Sequence, residues 1–386
     1  MKRLMPALLL GPALMAAPAL EQRFTLPNGL RVVLLEDHTL PQVRVHLAQD
    51  FEAQGCLVSF TGALLDGAGA GPFNAAAFAH TLEERGAWLQ STWRPGTLEW
   101  RLQVGSSELE GAMELLGHAV FRATYEASRV ERIRARVLRQ VQERSPREAA
   151  MDRFLGALGH PAGGRLPSET DLRRITLQEL LAFRRGLADP RRALVVIQGD
   201  LTPALARQVM LQAFGTWTPP SSPVVADHQG PPPLSEVRGL PAEAWGARRL
   251  ELSTGGGWAA FDLLAEVFAL RNAAGVESLR LEWVRGDRLS GVILARGTSL
   301  AELKERLGAV VRQGLTQAEL DRAQEALRRD KSMLALHPRK LVEDCLERNR
   351  LAKAEGAGEL RLAQVKTLLE AWLKPDEMHF LVVKGE

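Results

Sequence analysis

The apolar positions of the chain follow two periods, and these recur in the same order in both halves. In the first half, a helical pattern over residues 176–189 leads through a proline into the apolar run 193–197, which ends in Gln-Gly-Asp. In the second half, a helical pattern over 362–374 leads through a proline into the run 379–383, which ends in Lys-Gly-Glu. The repeated order of amphipathic helix, proline, buried strand and glycine predicts one structural unit present twice.

Earlier segments of the two halves correspond as well. Each half carries a strand pattern, a helix and a second, charged helix: 97–106, 108–122 and 127–143 in the first half, 285–298, 300–312 and 317–333 in the second. Two alternating strands surround a Pro-Asn-Gly turn near the N-terminus, and a further strand follows. Strands separated by helix pairs predict an α+β fold, built as two tandem homologous α/β modules with helices on one face of each sheet.

A proline-rich segment separates the repeats. Residues 217–233 contain six prolines and little apolar periodicity, which is typical of a linker. We therefore expect an N-terminal module over 21–218, a linker over 219–233 and a C-terminal module over 234–386.

The N-terminus has the pattern of a secretory signal peptide. Lys2 and Arg3 precede an uncharged run of about 17 residues, with small residues near its end. We expect a signal peptide over residues 1–19, cleaved near 17–19, and a periplasmic or secreted protein. The run is short and interrupted by prolines, whereas a membrane-spanning helix needs roughly 20 apolar residues, so no stable membrane span is predicted.

Composition and charge narrow the class of protein. The chain has 386 residues, 46% hydrophobic and 25% charged, which suits a soluble globular protein with two domains. Removal of Lys2 and Arg3 lowers the formal net charge from +3 to +1, so no nucleic-acid partner is indicated. Cys56 and Cys345 lie in apolar helical settings, where buried free thiols are favoured over a disulfide between them.

Four strings in this order resemble one enzyme family. They are LPNGLRVVLLEDH (26–38), GHPAGG (159–164) with ITLQELLAF (175–183), and PRRALVVIQGD (190–200). Together they resemble the insulinase/pitrilysin-type zinc metallopeptidases, the inverted zincins, whose relatives include the mitochondrial processing peptidase and the core proteins of the respiratory cytochrome bc complex. The resemblance covers nearly all of the mature chain and implies zinc-dependent endopeptidase activity.

The zinc motif of that family is missing. In the family, a helix soon after the opening strands carries H-x-x-E-H, in which two histidines bind zinc and the glutamate polarises the attacking water. When the flanking glycines are matched, these three functions fall on Val58, Thr61 and Gly62. The resemblance thus implies a degenerate member without catalytic residues, and with no zinc or other cofactor.

The remaining family positions are also changed. A downstream helix that should supply a glutamate ligand has Ile133 and Gln140 at the acidic positions, with Glu131 as the neighbouring carboxylate if the register slips. In the C-terminal module, Arg285 occupies the position of an arginine that binds the substrate carbonyl. Its tyrosine partner is absent, because Tyr125 in the first module is the only tyrosine.

Other candidate sites are weak. His80 and Glu84 share a helical face and resemble part of a zinc motif, but a solvated helix surface explains them better. The glycines of residues 66–72 follow a helix rather than a strand, which favours a connection over a phosphate loop. The basic amphipathic pattern over 129–139 predicts a helix with a cationic solvent face suited to an acidic partner surface.

The sequence therefore favours an exported, catalytically inactive homologue of an insulinase-type zinc endopeptidase, acting as the non-catalytic subunit beside an active zinc-peptidase subunit of the same family and contacting peptide substrates. Two alternatives stay open. One is a free-standing binding or scaffold protein, and the other is a zinc-dependent peptidase with an unrecognised metal site.

Overall fold

The structure is a computed structural model that describes residues 21–51, 56–65, 67–94, 97–158, 169–221, 234–238, 243–252, 257–273, 279–284, 290–334, 337–350 and 360–384. The predicted signal peptide, most of the predicted linker and Arg285 lie outside these residues.

The first module contains eight strands and eight helices in the described residues. The strands are β1 (Glu21–Thr25), β2 (Arg31–Glu36), β3 (Gln42–Asp50), β4 (Gly69–Ala70), β5 (Trp88–Arg94), β6 (Thr97–Gly105), β7 (Ala123–Thr124) and β8 (Ala193–Gly199). The helices are α1 (Cys56–Leu65), α2 (Ala75–Glu84), α3 (Leu109–Phe121), α4 (Ala127–Gln142), α5 (Pro146–Ala157), α6 (Glu169–Arg174), α7 (Leu177–Leu187) and α8 (Pro203–Phe214).

The second module contains five strands and five helices in the described residues. The strands are β9 (Leu234–Arg238), β10 (Glu243–Glu251), β11 (Leu279–Val284), β12 (Ser290–Gly297) and β13 (His379–Lys384). The helices are α9 (Gly257–Ala273), α10 (Leu300–Gln313), α11 (Gln317–Leu334), α12 (Pro338–Arg350) and α13 (Leu362–Trp372).

The two large sheets have the same topology. The first sheet has the order β1-β2-β8-β3-β6-β5, and the second has the order β9-β13-β10-β12-β11. In both, one parallel pair (β2 with β8, β9 with β13) is followed by antiparallel pairs only. Apart from the additional strand β1, the sheets therefore match strand for strand, which confirms the tandem-module architecture.

Local sequence sets the helix starts. Ser145 and Thr176 each form a capping box with a glutamate three residues later, which satisfies backbone N–H groups at the first turns of α5 and α7. Asn74 and Ser299 cap α2 and α10 with side-chain oxygens. The predicted charged helices are confirmed to within a residue as α4 and α11.

One helix of each module crosses to the other sheet. Helix α12 packs Val342, Cys345 and Leu346 on the β2–β8 part of the first sheet. In return, α5 packs its apolar residues on the second sheet, with Phe154 in the cluster that includes Leu381. The prediction of helices on one face of each sheet is therefore incomplete, because the other face is covered by a helix from the neighbouring module.

The crossing is reinforced by charge. Arg147 of α5 makes two hydrogen bonds to the carboxylate of Glu243 on β10, and Arg296 lies 3.3 Å from the same carboxylate. These contacts keep the pKa of Glu243 below its usual range, chiefly through the Arg147 hydrogen bonds. Each module thus packs one helix on the sheet of the other. At the second sheet, the apolar contact of α5 is joined by the ion pair between Arg147 and Glu243.

Candidate functional site

Helix α1 is the element on which the zinc motif was expected, and it is buried on two sides. Phe60 and Leu64 are fully buried in an apolar cluster with α4, α6 and α7, and Leu57 packs against it. Leu57, Phe60 and Leu64 therefore form one packing face of α1. On its other side, Leu65 joins the main core beneath the first sheet.

Trp93 of edge strand β5 covers the position expected for the second histidine. A Cβ atom added at Gly62 would lie 2.4 Å from Trp93 Cγ and 2.7 Å from its Cβ, closer than real side-chain atoms approach. Glycine in mid-helix costs about 1 kcal/mol relative to alanine, but here it admits the indole against the helix backbone. Any larger side chain at this position requires Trp93 to move.

Thr61, at the position expected for the catalytic glutamate, is 1% exposed. Its hydroxyl has no hydrogen-bond partner among the described residues, and the same holds for the buried indole N–H of Trp93. A threonine hydroxyl is far too weak a base to take a proton from water, so Thr61 cannot do the work of the expected glutamate. The side chain of Val58 lies outside the described parts of the chain.

The α4 positions do not assemble a ligand set with Gly62. Ile133 is buried in the cluster with Phe60 and Leu64, on the side of α1 away from the Gly62–Trp93 contact, and Gln140 is exposed. Glu131 is exposed and lies 3.1 Å from the guanidinium of Arg134.

Arg134 was not singled out from the sequence, yet it joins three elements of this region. Its guanidinium donates to the carbonyl oxygens of Leu172 and Ile175, and it lies 5.4 Å from the Phe60 ring centroid. A cation therefore caps the apolar cluster beside α1, which opposes binding of a second cation there.

Arg184 and Tyr125 form a second buried contact that sequence reasoning missed. Arg184 donates to the Val120 carbonyl and lies 5.4 Å from the Trp100 ring centroid. Burial raises the pKa of Tyr125, and the nearby charge of Arg184 only partly opposes this. The phenol therefore stays protonated at neutral pH and does not serve as a base.

The residues around α1 do not fit a zinc ion. Within the described parts of the chain, no group of three or more His, Cys, Asp or Glu side chains is placed to hold a metal. His80 and Glu84 lie 3.4 Å apart on the exposed face of α2, with side chains 70% and 63% exposed, which is a solvated helix pair. The chemistry of the α1 region is that of a packed core.

The other sequence candidates are structural. Gly69 and Ala70 form strand β4, which pairs with β7, so the glycine-rich segment takes part in a small sheet rather than acting only as a connection. Cys345, on α12, is a buried free thiol. Among the described helices, none combines the length and apolar content needed to cross a bilayer.

No protein-family model and no curated protein sequence matches the chain. Solved structures do match. A protease from Helicobacter pylori aligns with a TM-score of 0.75 at 14% identity, over 95% of this chain and 100% of that one. The inactive domain of a peptidase M16 from Pseudomonas fluorescens aligns with a TM-score of 0.74 at 17% identity, over 95% of this chain and 98% of that one.

A third match differs in length. The periplasmic protease PqqL from Escherichia coli aligns with a TM-score of 0.73 at 15% identity, over 100% of this chain but 49% of that one. The present chain therefore corresponds to about half of PqqL, and the first half of PqqL alone aligns over 92% of its length. The TM-scores establish a shared fold, and at these low identities they establish the fold alone.

Proposed function

We propose that this chain, which has the fold of the M16 or insulinase-type peptidases, is a catalytically inactive homologue of them that acts as the non-catalytic subunit of a heteromeric peptidase. The observation that carries the proposal is the Trp93 indole packed on Gly62. It fills the space that a second zinc-binding histidine needs, so the loss extends beyond the ligand residues to the shape of the site.

The comparisons support a role beside a partner. An inactive M16 domain from Pseudomonas fluorescens has the same fold over nearly its whole length, which is a precedent for a non-catalytic chain of this shape. PqqL contains about twice the length that this chain matches. We infer that the present chain supplies one half of a peptidase assembly, and that an active zinc-peptidase subunit of the same family supplies the other.

We further propose that the chain is exported to the periplasm or secreted, that it binds no zinc of its own, and that Arg285 contributes to binding of peptide substrate. The signal-peptide pattern of residues 1–19 supports export. The position of Arg285 in the family resemblance supports the substrate contact.

The test is to purify the chain alone and with an H-x-x-E-H-containing homologue from the same genome, then to measure zinc content, complex formation and peptide hydrolysis. We expect no zinc in the isolated chain, and a complex whose hydrolysis exceeds that of the active subunit alone. Stoichiometric zinc and peptide cleavage by the isolated chain would overturn the proposal. Absence of any complex would favour a free-standing binding protein.

A further inference from the structure

The face of the first sheet that receives α12 is only half covered by that helix. Its apolar part, on β2 and β8, packs against Val342 and Leu346. On β3, β6 and β5 the same face is polar, and it borders an open groove of about 390 Å³ that continues into a smaller cavity of about 80 Å³ under the start of α12.

Strand register places three side chains of this groove in one row. Arg44 on β3 is opposite Gln103 on β6, which is opposite Trp88 on β5. Opposed residues of antiparallel strands point to the same face of a sheet, and each strand adds about 4.8 Å, so the row is about 10 Å wide. The neighbouring residues Val43, Val45, Leu102 and Val104 point to the opposite face and into the core.

The walls of the groove are predominantly cationic. Arg339 lines both the open groove and the smaller cavity, and the cavity is also lined by Arg44, Arg101 and a single carboxylate, Glu343. Glu343 lies 3.3 Å from Arg101 and 3.5 Å from Arg339, so one carboxylate is shared by two cations. The next carboxylate, Glu99, is buried in the sheet beside Arg101 and His46.

One of these cations, Arg44, has unused capacity for an anion. Arg44 donates only to Gln42 Oε1, at 3.3 Å, and has no carboxylate within ion-pair distance among the described residues. Hydrogen bonds from Thr39 are the main cause of the lowered pKa of Asp37, and the charge of Arg44 adds a smaller effect. Arg101 is already paired with Glu99 and Glu343, and its Nε atom is buried, so it contributes charge to the groove rather than a direct contact.

The start of α12 adds positive potential at the same place. Arg339 and Lys340 stand in its first turn, which has no acidic residue. The N-terminal end of a helix already carries partial positive charge, so cations there are unfavourable unless an anion binds nearby. Glu343 lies 3.5 Å from Arg339 and offsets part of this charge, and the positive potential that remains favours an anion at the start of α12.

The remaining lining residues favour a peptide. Trp88 is 49% exposed and offers a flat apolar surface. Gln42 and Gln103 offer amides that both donate and accept, as hydrogen bonds to a peptide backbone require.

We propose that this groove binds an extended acidic peptide segment, with carboxylates on Arg44 and Arg339 and an apolar side chain on Trp88. The inference rests on the proposed function, because it assigns a substrate class to the non-catalytic subunit. It is independent of the Gly62 region, which lies at a different part of the module.

The test measures binding of three labelled peptides to the purified full chain by fluorescence anisotropy. In each peptide leucine alternates with one polar residue, which is glutamate in the first, glutamine in the second and lysine in the third. We expect the glutamate peptide to bind at least about tenfold more tightly than the other two, with affinity that falls as salt rises. Arg44→Gln combined with Arg339→Gln should weaken it by about tenfold or more.

A matched control removes the same charge elsewhere. Arg132→Gln with Arg136→Gln, on the exposed face of α4, should change the affinity by less than about threefold, an effect of overall charge only. Trp88→Ala, at an exposed position, should weaken binding without unfolding the chain, and serves if the double arginine variant does not fold. Equal binding of the glutamate and glutamine peptides, or equal loss in both arginine pairs, would overturn the inference.

The outcomes separate this inference from the proposed function. If the chain forms the complex but does not bind the acidic peptide, the groove proposal is wrong and the proposed non-catalytic subunit stands. If it binds the acidic peptide specifically but forms no complex, the groove proposal stands and the proposed heteromeric peptidase is wrong.

Discussion

The indole of Trp93 packs on the backbone of Gly62 so closely that a Cβ atom there would lie 2.4 Å from Trp93 Cγ. The contact joins the edge strand β5 to helix α1 at the position where the family resemblance expects a zinc-binding histidine. Because the ring fills this space, packing against β5 holds the helix at this position.

Gly62→Ala should destabilise the protein even though alanine is the better helix former. The gain in helix propensity is about 1 kcal/mol, whereas forcing a methyl group into a filled core costs about 1–3 kcal/mol. Urea unfolding followed by circular dichroism measures the difference.

Two controls accompany that substitution. Gly308→Ala, in the middle of α10, meets only the mobile end of Arg312 and should stabilise by up to about 1 kcal/mol. In a Trp93→Ala background the Gly62→Ala change should turn stabilising, since the obstructing ring is gone. A stabilising effect of Gly62→Ala in the unmodified protein would contradict the packing described.

Phe154→Ala should destabilise by about 3–5 kcal/mol and loosen the second module, although Phe154 lies in the first module's chain segment. The reason is that α5 packs on the second sheet, in the cluster with Ala247, Val292 and Leu381. Hydrogen exchange should rise in β10 and β13 before it rises in β3. Leu211→Ala, at an exposed leucine of α8, should change stability by less than about 0.5 kcal/mol.

Glu319 should make stability depend on pH in the acidic range. Hydrogen bonds from Arg271, and then from Thr316, lower the pKa of Glu319 from 4.5 to about 2. Because the folded pKa lies below the unfolded one, the stabilisation is complete above about pH 4.5 and is lost as pH falls towards 2.

Glu319→Gln should therefore cost roughly 1–3 kcal/mol at neutral pH, and the difference from the unmodified protein should shrink between pH 5 and about pH 2. Urea unfolding at a series of pH values measures this. Glu305→Gln, an exposed change on α10, should show no such trend. A difference that stays constant over the acidic range would exclude the Arg271 contact as its source.

Cys345 should resist alkylation in the folded protein. It is buried between α12 and the first sheet, and burial raises the pKa of its thiol to about 12, so the reactive thiolate is scarce at pH 8. Mass spectrometry after iodoacetamide treatment should find the Cys345 peptide unlabelled in native protein and labelled in urea. A Cys56–Cys345 linked peptide would instead show the disulfide that the sequence left as the less favoured alternative.

The sequence by itself determined the elements and their repetition. The signals that set these elements act over one or two turns, so they can be read without the fold. They include the capping residues Ser145 and Thr176, the prolines before β8 and β13, and the apolar periods of α4 and α11. The replacement of the zinc motif at Val58, Thr61 and Gly62 was inferred from the family resemblance, and it stays a prediction.

Only the tertiary structure decided which surfaces meet. The crossing of α5 and α12, the contact of Trp93 with Gly62, and the row of Arg44, Gln103 and Trp88 each join residues far apart in the chain. Such contacts depend on strand order and on which face of a sheet a helix reaches. A one-dimensional pattern gives the period of an element but not its neighbour, so the filled α1 site and the cationic groove became visible only in the folded chain.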